Sequence, residues 1–154
     1  MGLRKILTTK DPALHKVCKP MVNFDDRLFR LLADMKETLI DSGGVGLAAP
    51  QVGVLKRVVV IDVDDDNGRI ELVNPVITGM MGKQLETEGC LSYPGNSGIV
   101  KRPAKVKVKA FERYGKPVKY YGRGLLARAF CHEIDHLNGI LFADKVIEWV
   151  EEEK

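Results

Sequence analysis

His132 and His136 stand four residues apart in HEIDHLNGILF (132 to 142), inside a segment whose apolar residues Leu126, Phe130, Ile134, Leu137 and Leu141 recur at helical spacing. Residues four apart on a helix project to one side, separated by about 40° around the axis, so the two imidazoles can share one ion. A catalytic site of the zinc type needs three protein donors and an open position for water. Any fold of this chain must therefore bring a third donor against this helix, and the source of that donor decides what the site can do.

With three histidines in 154 residues, a shuffled chain would contain H-E-x-x-H only about once in a few hundred cases. The competing reading is an ordinary core helix. Glu133 lies on the flank of the histidine face, close enough to handle the proton of a water held by the ion without being a ligand.

Three sources of the third donor can be weighed. A metzincin protease continues as H-E-x-x-H-x-x-G-x-x-H, and this chain follows the pattern to Gly139 but has Phe142 where the last His belongs. A thermolysin-like protease takes a Glu from a later helix, for which the short remaining chain offers Glu148 and the Glu151 to Glu153 run, in a terminus expected to be solvated. The third source is an upstream thiolate. Cys131 points about 140° away from His136 around the helix and is unsuited to the same ion. Cys18 sits in an N-terminal arm, where HKVC pairs it with His15 as a two-donor fragment or as plain surface. Cys90 is the best placed: it stands in ETEGCLSYPG, where Gly89 permits close backbone approach. A buried structural thiol is the alternative for Cys90.

The remaining chain changes period twice. NFDDRLFRLLADMKETLIDSGG reads as an amphipathic helix with Asn23 as N-cap, Asp25 and Asp26 in the first turn and Gly43 as the stop. RVVVIDV (57 to 63) reads as a strand buried on both faces, DDDNG as a turn into ELVNPVIT, and KVKVKA (105 to 110) as a strand with one wet face, returned by Tyr114-Gly115 into KPVKYYG. This order predicts an α+β fold: mainly antiparallel strands around a central metal-binding HExxH helix, with an N-terminal amphipathic helix. At 154 residues and 45% hydrophobic content the expectation is one domain spanning 1–154.

A net charge of +3 does not by itself argue for nucleic acid. The run from Lys101 to Arg123 contains one acid, Glu112, and reads as a solvated strand face or as the neighbour of a polyanion. Three irregularly spaced cysteines fit a reducing compartment. With no signal-like start and no apolar stretch of membrane-spanning length, a cytoplasmic protein without membrane contact is expected.

Three segments in this order and spacing, GVGLAAPQ (44 to 51), EGCLS (88 to 92) and HEIDH (132 to 136), resemble the peptide deformylase family over essentially the whole chain. The short interval from Gln51 to Glu88 is similar to the compact bacterial form. The resemblance implies Cys90, His132 and His136 as metal ligands and Glu133 as general acid/base. It implies that Gln51 and the Leu91 N–H stabilise the oxyanion, and that Val45 and Gly46 line the substrate cleft and offer backbone hydrogen bonds. It further implies N-formylmethionyl peptides of nascent chains as substrates, with Fe(II) as the working ion; Zn(II), Ni(II) and Co(II) also suit one thiolate and two imidazoles. Transient ribosome contact is a family feature, but the tail VIEWVEEEK is short and acidic where some members carry a longer basic docking helix. No specific nucleic-acid partner is expected.

Such chemistry needs a cation to lower the pKa of a water, Glu133 to take its proton, and hydrogen-bond donors where charge develops on an attacked carbonyl. Two other readings share the motif: a zinc endopeptidase, against which Phe142 and the short tail argue, and a non-catalytic domain with a structural metal, which would be closed by four protein ligands.

Overall fold

The computed structural model describes residues 2–150, so the Glu151 to Glu153 run lies outside them. After an arm containing one short 3-10 turn (Pro12–His15), helix α1 spans Asp26–Ser42. Its N-cap is Asp25, not Asn23: the extended Asp25 backbone turns its carboxylate inward to accept from the N–H groups of Arg27 (3.1 Å) and Leu28 (3.4 Å). Two of the orphan donors that begin any helix are thereby satisfied. At the other end Gly43, at φ 72°, adopts the left-handed conformation that ends the helix and donates its N–H to the Leu39 carbonyl.

Among the described residues eight strands follow, interrupted by one helix: β1 (Gly46–Ala48), β2 (Val58–Ile61), β3 (Ile70–Met81), β4 (Gln84–Cys90), β5 (Tyr93–Arg102), β6 (Lys105–Phe111), β7 (Pro117–Arg123), helix α2 (Leu125–Leu137) and β8 (Val146–Val150). They form a five-stranded sheet in the order β1-β2-β3-β6-β7 and a three-stranded sheet in the order β4-β5-β8. Every pairing between these strands is antiparallel. The architecture is α+β, as the alternation of periods in the sequence predicts.

All four residues of β2 are buried because a helix covers each face of the sheet there. Val58 and Val60 pack with Leu28, Leu31, Leu32, Met35 and Leu39 of α1. Val59 and Ile61 pack with Leu126, Phe130, Ile134 and Leu137 of α2. On β6 the cover is one-sided, so Val106, Val108 and Ala110 are buried toward α2 while Lys105, Lys107 and Lys109 are exposed on the reverse face.

The acidic tail does not trail in solution within the described residues. Val146–Val150 is strand β8, paired with β5 through Gly98↔Trp149 and Ile99↔Glu148. Trp149 stacks on Tyr93 at 5.7 Å between ring centroids, which anchors the strand. Glu148 is exposed on β8.

The arm is fixed by backbone hydrogen bonds to three distant segments: Leu7 N–H to the Gln51 carbonyl (2.7 Å), Thr9 N–H to the Ser92 carbonyl (3.0 Å) and Cys18 N–H to the Leu137 carbonyl (2.8 Å). Asn74, held at φ 52°, adds both side-chain bonds to Met21, accepting from its N–H at 2.8 Å and donating to its carbonyl at 2.9 Å.

The capping geometry makes a specific expectation. Asp25→Ala lowers unfolding free energy by about 1 kcal/mol in urea titration, whereas Asn23→Ala, at an exposed position outside the cap, changes it little; equal losses at both positions would contradict the assigned cap.

Candidate metal centre and its cleft

The fold brings Cys90, at the end of β4, against the middle of α2. One donor atom from each of Cys90, His132 and His136 lies within 4.8 Å of the other two, and Cys90 Sγ is 3.3 Å from His136 Nε2. A tetrahedral ion with bonds of about 2.3 Å to sulfur and 2.0–2.1 Å to nitrogen holds its donors roughly 3.3–3.6 Å apart. The three side chains fit such an ion and leave its fourth position to the cleft. Among the described residues no fourth His, Cys, Asp or Glu joins the group, and Glu148 is not part of it.

Two of the donors have an orienting neighbour: Gln51 Nε2 lies 3.7 Å from Cys90 Sγ, and Glu88 holds His132. His132 shares its Nδ1 hydrogen bond with Glu88 Oε1 at 2.9 Å, which leaves Nε2 for an ion. The ring of Phe142, in the position where a metzincin would have its last His, is buried and stacks against the ring of His132 at 6.0 Å. Packing thus replaces ligation at that position. His136 is fully buried, and burial with the charge on His132 lowers its pKa to about 3; for His132 burial is outweighed by Glu133, Cys90 and Glu88, which raise its pKa to about 10, so an ion binding there displaces its proton.

Glu88 received no role from the sequence, yet it is the hub of the site. Its buried carboxylate accepts from Arg102 Nε and Nη2, both at 2.9 Å, from Arg128 Nη1 and from His132. Arg102 also donates to Asp135 Oδ2 at 2.7 Å, and Arg128 to the Val100 carbonyl at 3.2 Å. Burial pushes the Glu88 carboxyl up, but the bonds and charges of Arg102 and His132 outweigh it and hold the pKa down at about 2. Two sequence signals pointed here: Glu88 precedes Cys90 by two on an alternating strand, and Arg128 precedes His132 by four on the helix face.

Glu133 is in the opposite situation. It is buried, its Oε1 has no hydrogen-bond partner among the described residues, and burial raises its pKa to about 7. That value suits a group that must take a proton and return it near neutral pH. A Cβ on Gly46 would fall 2.6 Å from Glu133 Oε2, so this carboxylate fits only because β1 has no side chain at that point.

The donors and Glu133 border a cleft of about 440 Å³, with Gly43 to Gly46 on one wall and Thr87 to Leu91 on the other. Val45 and Leu91 line it, and Gln51 stands at its base. Gln51 Oε1 accepts from the Ala48 N–H at 2.9 Å, which turns Nε2 toward Ser92 Oγ (3.1 Å) and Cys90 Sγ (3.7 Å). The Val45 carbonyl is already engaged by the Asp62 N–H at 2.8 Å. Backbone groups alternate sides along an antiparallel strand, so it is Gly46 whose N–H and C=O face the open edge of β1. Of the two residues expected to offer backbone bonds, Val45 supplies cleft surface and Gly46 the free edge.

The other two cysteines are elsewhere. Cys131 belongs to the core under α2, where burial raises its pKa to about 11, and Cys18 is buried in the same cluster. His15 bonds the Thr9 carbonyl at 2.8 Å.

Residues 3–152 match the family model described as Polypeptide deformylase. The peptide deformylase of Caldicellulosiruptor bescii is 56% identical over 154 residues, covering 100% of this chain and 92% of that protein. That of Alkaliphilus metalliredigens is 56% identical over 148 residues, covering 96% and 99%. Among solved structures, a peptide deformylase from Legionella pneumophila superposes with a TM-score of 0.91 at 49% identity, over 94% of this chain and 86% of that one. The peptide deformylase from Thermotoga maritima gives 0.91 at 39% identity, over 95% and 99%.

The Glu88 hub has a signature in acid. A carboxyl whose folded pKa lies below its unfolded value stabilises the fold above the unfolded pKa and loses that contribution as pH falls toward the folded one. In metal-free protein, stability contributed by Glu88 is therefore complete above about pH 4.5 and lost as pH falls to about 2, a change of about 3 kcal/mol. Glu88→Gln, less stable throughout, should show a correspondingly shallower fall across that window in denaturant titrations; an unchanged slope would mean that the ion pairing is not energetically coupled to folding.

Proposed function

The chain belongs to the polypeptide deformylase family, and on that premise we propose how its own residues carry the reaction. The enzyme removes the N-formyl group from the N-terminal formylmethionine of newly synthesised polypeptides and releases formate. It is metal-dependent, and the whole span 1–154 is read as one catalytic unit. The observation that carries the assignment of residues is the convergence of Cys90, His132 and His136 beside a buried, unpartnered Glu133 in a cleft open to one sheet edge.

Cys90, His132 and His136 hold the ion, which when bound supplies a Lewis acid that lowers the pKa of a water and polarises the formyl carbonyl. Fe(II) is the proposed native ion, with Zn(II), Ni(II) or Co(II) able to occupy the same donors. Glu133, buried beside the donors with Oε1 free of any partner among the described residues, takes the proton of the attacking water and returns it to the leaving amine. Gln51 Nε2, fixed by the bond between its Oε1 and Ala48, and the Leu91 N–H receive the charge that develops on the carbonyl oxygen. The substrate backbone adds to the open edge of β1 through Gly46, an extended peptide lying along a strand, with Val45 against its side chains.

The cytoplasm is the proposed site of action; among the described residues no helix is long and apolar enough to cross a membrane. Transient contact with the ribosome belongs to the same proposal. A structural-metal reading is disfavoured because three donors beside an open cleft do not close a tetrahedral site.

A formate-release assay on formyl-Met peptide with Fe(II)-reconstituted protein tests these roles. Glu133→Ala should retain the metal and lose at least about 100-fold in rate; full activity would remove Glu133 as the proton carrier. In a separate measurement, Cys90→Ser should bind Co(II) more weakly and lose the sulfur-to-metal charge-transfer absorption of the parent, and an unchanged spectrum would exclude the thiolate from the coordination sphere.

A further inference from the structure

The reverse face of the five-stranded sheet, opposite α2 and beyond the reach of α1, carries cations that nothing in the fold requires. Lys105, Lys107 and Lys109 alternate outward along β6, and the register sets Lys105 directly opposite Arg123, Lys107 opposite Tyr121 and Lys109 opposite Lys119 on β7. Directly opposed residues have Cβ atoms about 4.5–5.5 Å apart, and like charges there are destabilising. Two of three successive outward pairs are like-charged, and none of these five cations forms an ion pair among the described residues.

Between the rows Tyr121 stands 68% exposed with Lys107 Nζ 5.7 Å from its ring centroid. It borders a depression of about 370 Å³ lined by Gly79, Met81, Lys105, Lys107, Tyr121 and Arg123. A register shift between Ile77 and Gly79 opens this part of β3. Along β6 the lysines repeat every two residues, about 6.8 Å, which is close to the separation of successive phosphates in an extended nucleotide chain. Rows of cations around an exposed aromatic on an open antiparallel sheet match a linear polyanion whose bases can stack, rather than a plane of lipid headgroups.

We propose that this face binds single-stranded RNA independently of sequence, through phosphate contacts from Lys105, Lys107, Lys109, Lys119 and Arg123 and stacking of a base on Tyr121. The face lies across the sheet from α2, so bound RNA leaves the catalytic cleft open. The choice of RNA over other polyanions rests on the reading of the substrates as newly synthesised polypeptides; RNA binding itself is measured without deformylation, so either reading can fail alone.

The test is fluorescence anisotropy of a labelled 12-nucleotide oligouridine titrated with metal-loaded protein at several salt concentrations. Binding should weaken with salt, log K falling against log [salt] with a slope of about −2 to −3.5 for three to five phosphates contacted. The triple variant Lys105→Glu, Lys107→Glu, Lys109→Glu should bind at least about 30-fold more weakly while releasing formate from formyl-Met peptide at the parent rate. Tyr121→Ala should cost roughly tenfold in affinity with the salt slope preserved. Parent-like RNA affinity in the triple variant, or no effect of Tyr121→Ala, would overturn the proposal. Binding to phosphatidylglycerol vesicles as tight as to RNA at the same salt would also overturn it, in favour of a membrane surface.

Discussion

The buried carboxylate of Glu88 is the interaction on which the rest of the site depends. It joins a strand pair to a helix distant in the chain: β4 carries it, the adjoining β5 supplies Arg102, and α2 supplies Arg128 and His132. Ions withdrawn from water cost several kcal/mol each, and only well-formed pairing offsets that cost. The small sheet, the helix and the imidazole therefore have one arrangement in which all charges are satisfied. Cys90, two residues beyond Glu88 on the same strand, is delivered to the histidines by that arrangement. The geometry of the donors is a by-product of a charge network that must close.

Beside this satisfied cluster lies an unsatisfied group. Glu133 follows His132 directly and is equally buried, yet its Oε1 has no partner and its pKa is raised where that of Glu88 is lowered. Two carboxylates within one small region are driven apart by their surroundings, one held as the anion down to strongly acid pH, the other proposed to exchange a proton. Room for the second depends on Gly46, whose missing side chain leaves space for the Glu133 carboxylate and whose backbone forms part of the open edge. The same residue thus serves both the proposed proton carrier and the proposed peptide track.

Much of this was legible in the residues. The antiparallel α+β class follows from the switches of hydrophobic period, and the burial of β2 on both faces from its unbroken β-branched run. Phe142, which cannot ligate, leaves an upstream thiolate as the natural third donor, and the structure brings the Cys90 thiol to 3.3 Å from His136 Nε2. What escaped was non-local. The cap of α1 differs by two residues because Asn and Asp share the chemistry and only backbone conformation chooses between them. Strand β8 looks like an acidic tail in the sequence because VIEWV has too few residues to announce a strand without its partner β5. Glu88 stood inside a quoted motif, but its value comes from Arg102 and Arg128, and no spacing rule connects residues 88, 102 and 128 across a strand pair and a helix.

The arm has a consequence for the order of assembly. After Arg4, held early by Asp34 and Thr38 of α1, its bonds join Leu7 to Gln51, Thr9 to Ser92 and Cys18 to Leu137, so part of what is made early is seated by residues made late. Such long-range closures raise contact order and place loop-closure entropy ahead of the contacts that reward it. During its own synthesis the chain cannot complete the clasp until residue 137 has emerged, one residue after the last proposed ligand. Seating the arm and assembling the donor set are therefore nearly simultaneous events.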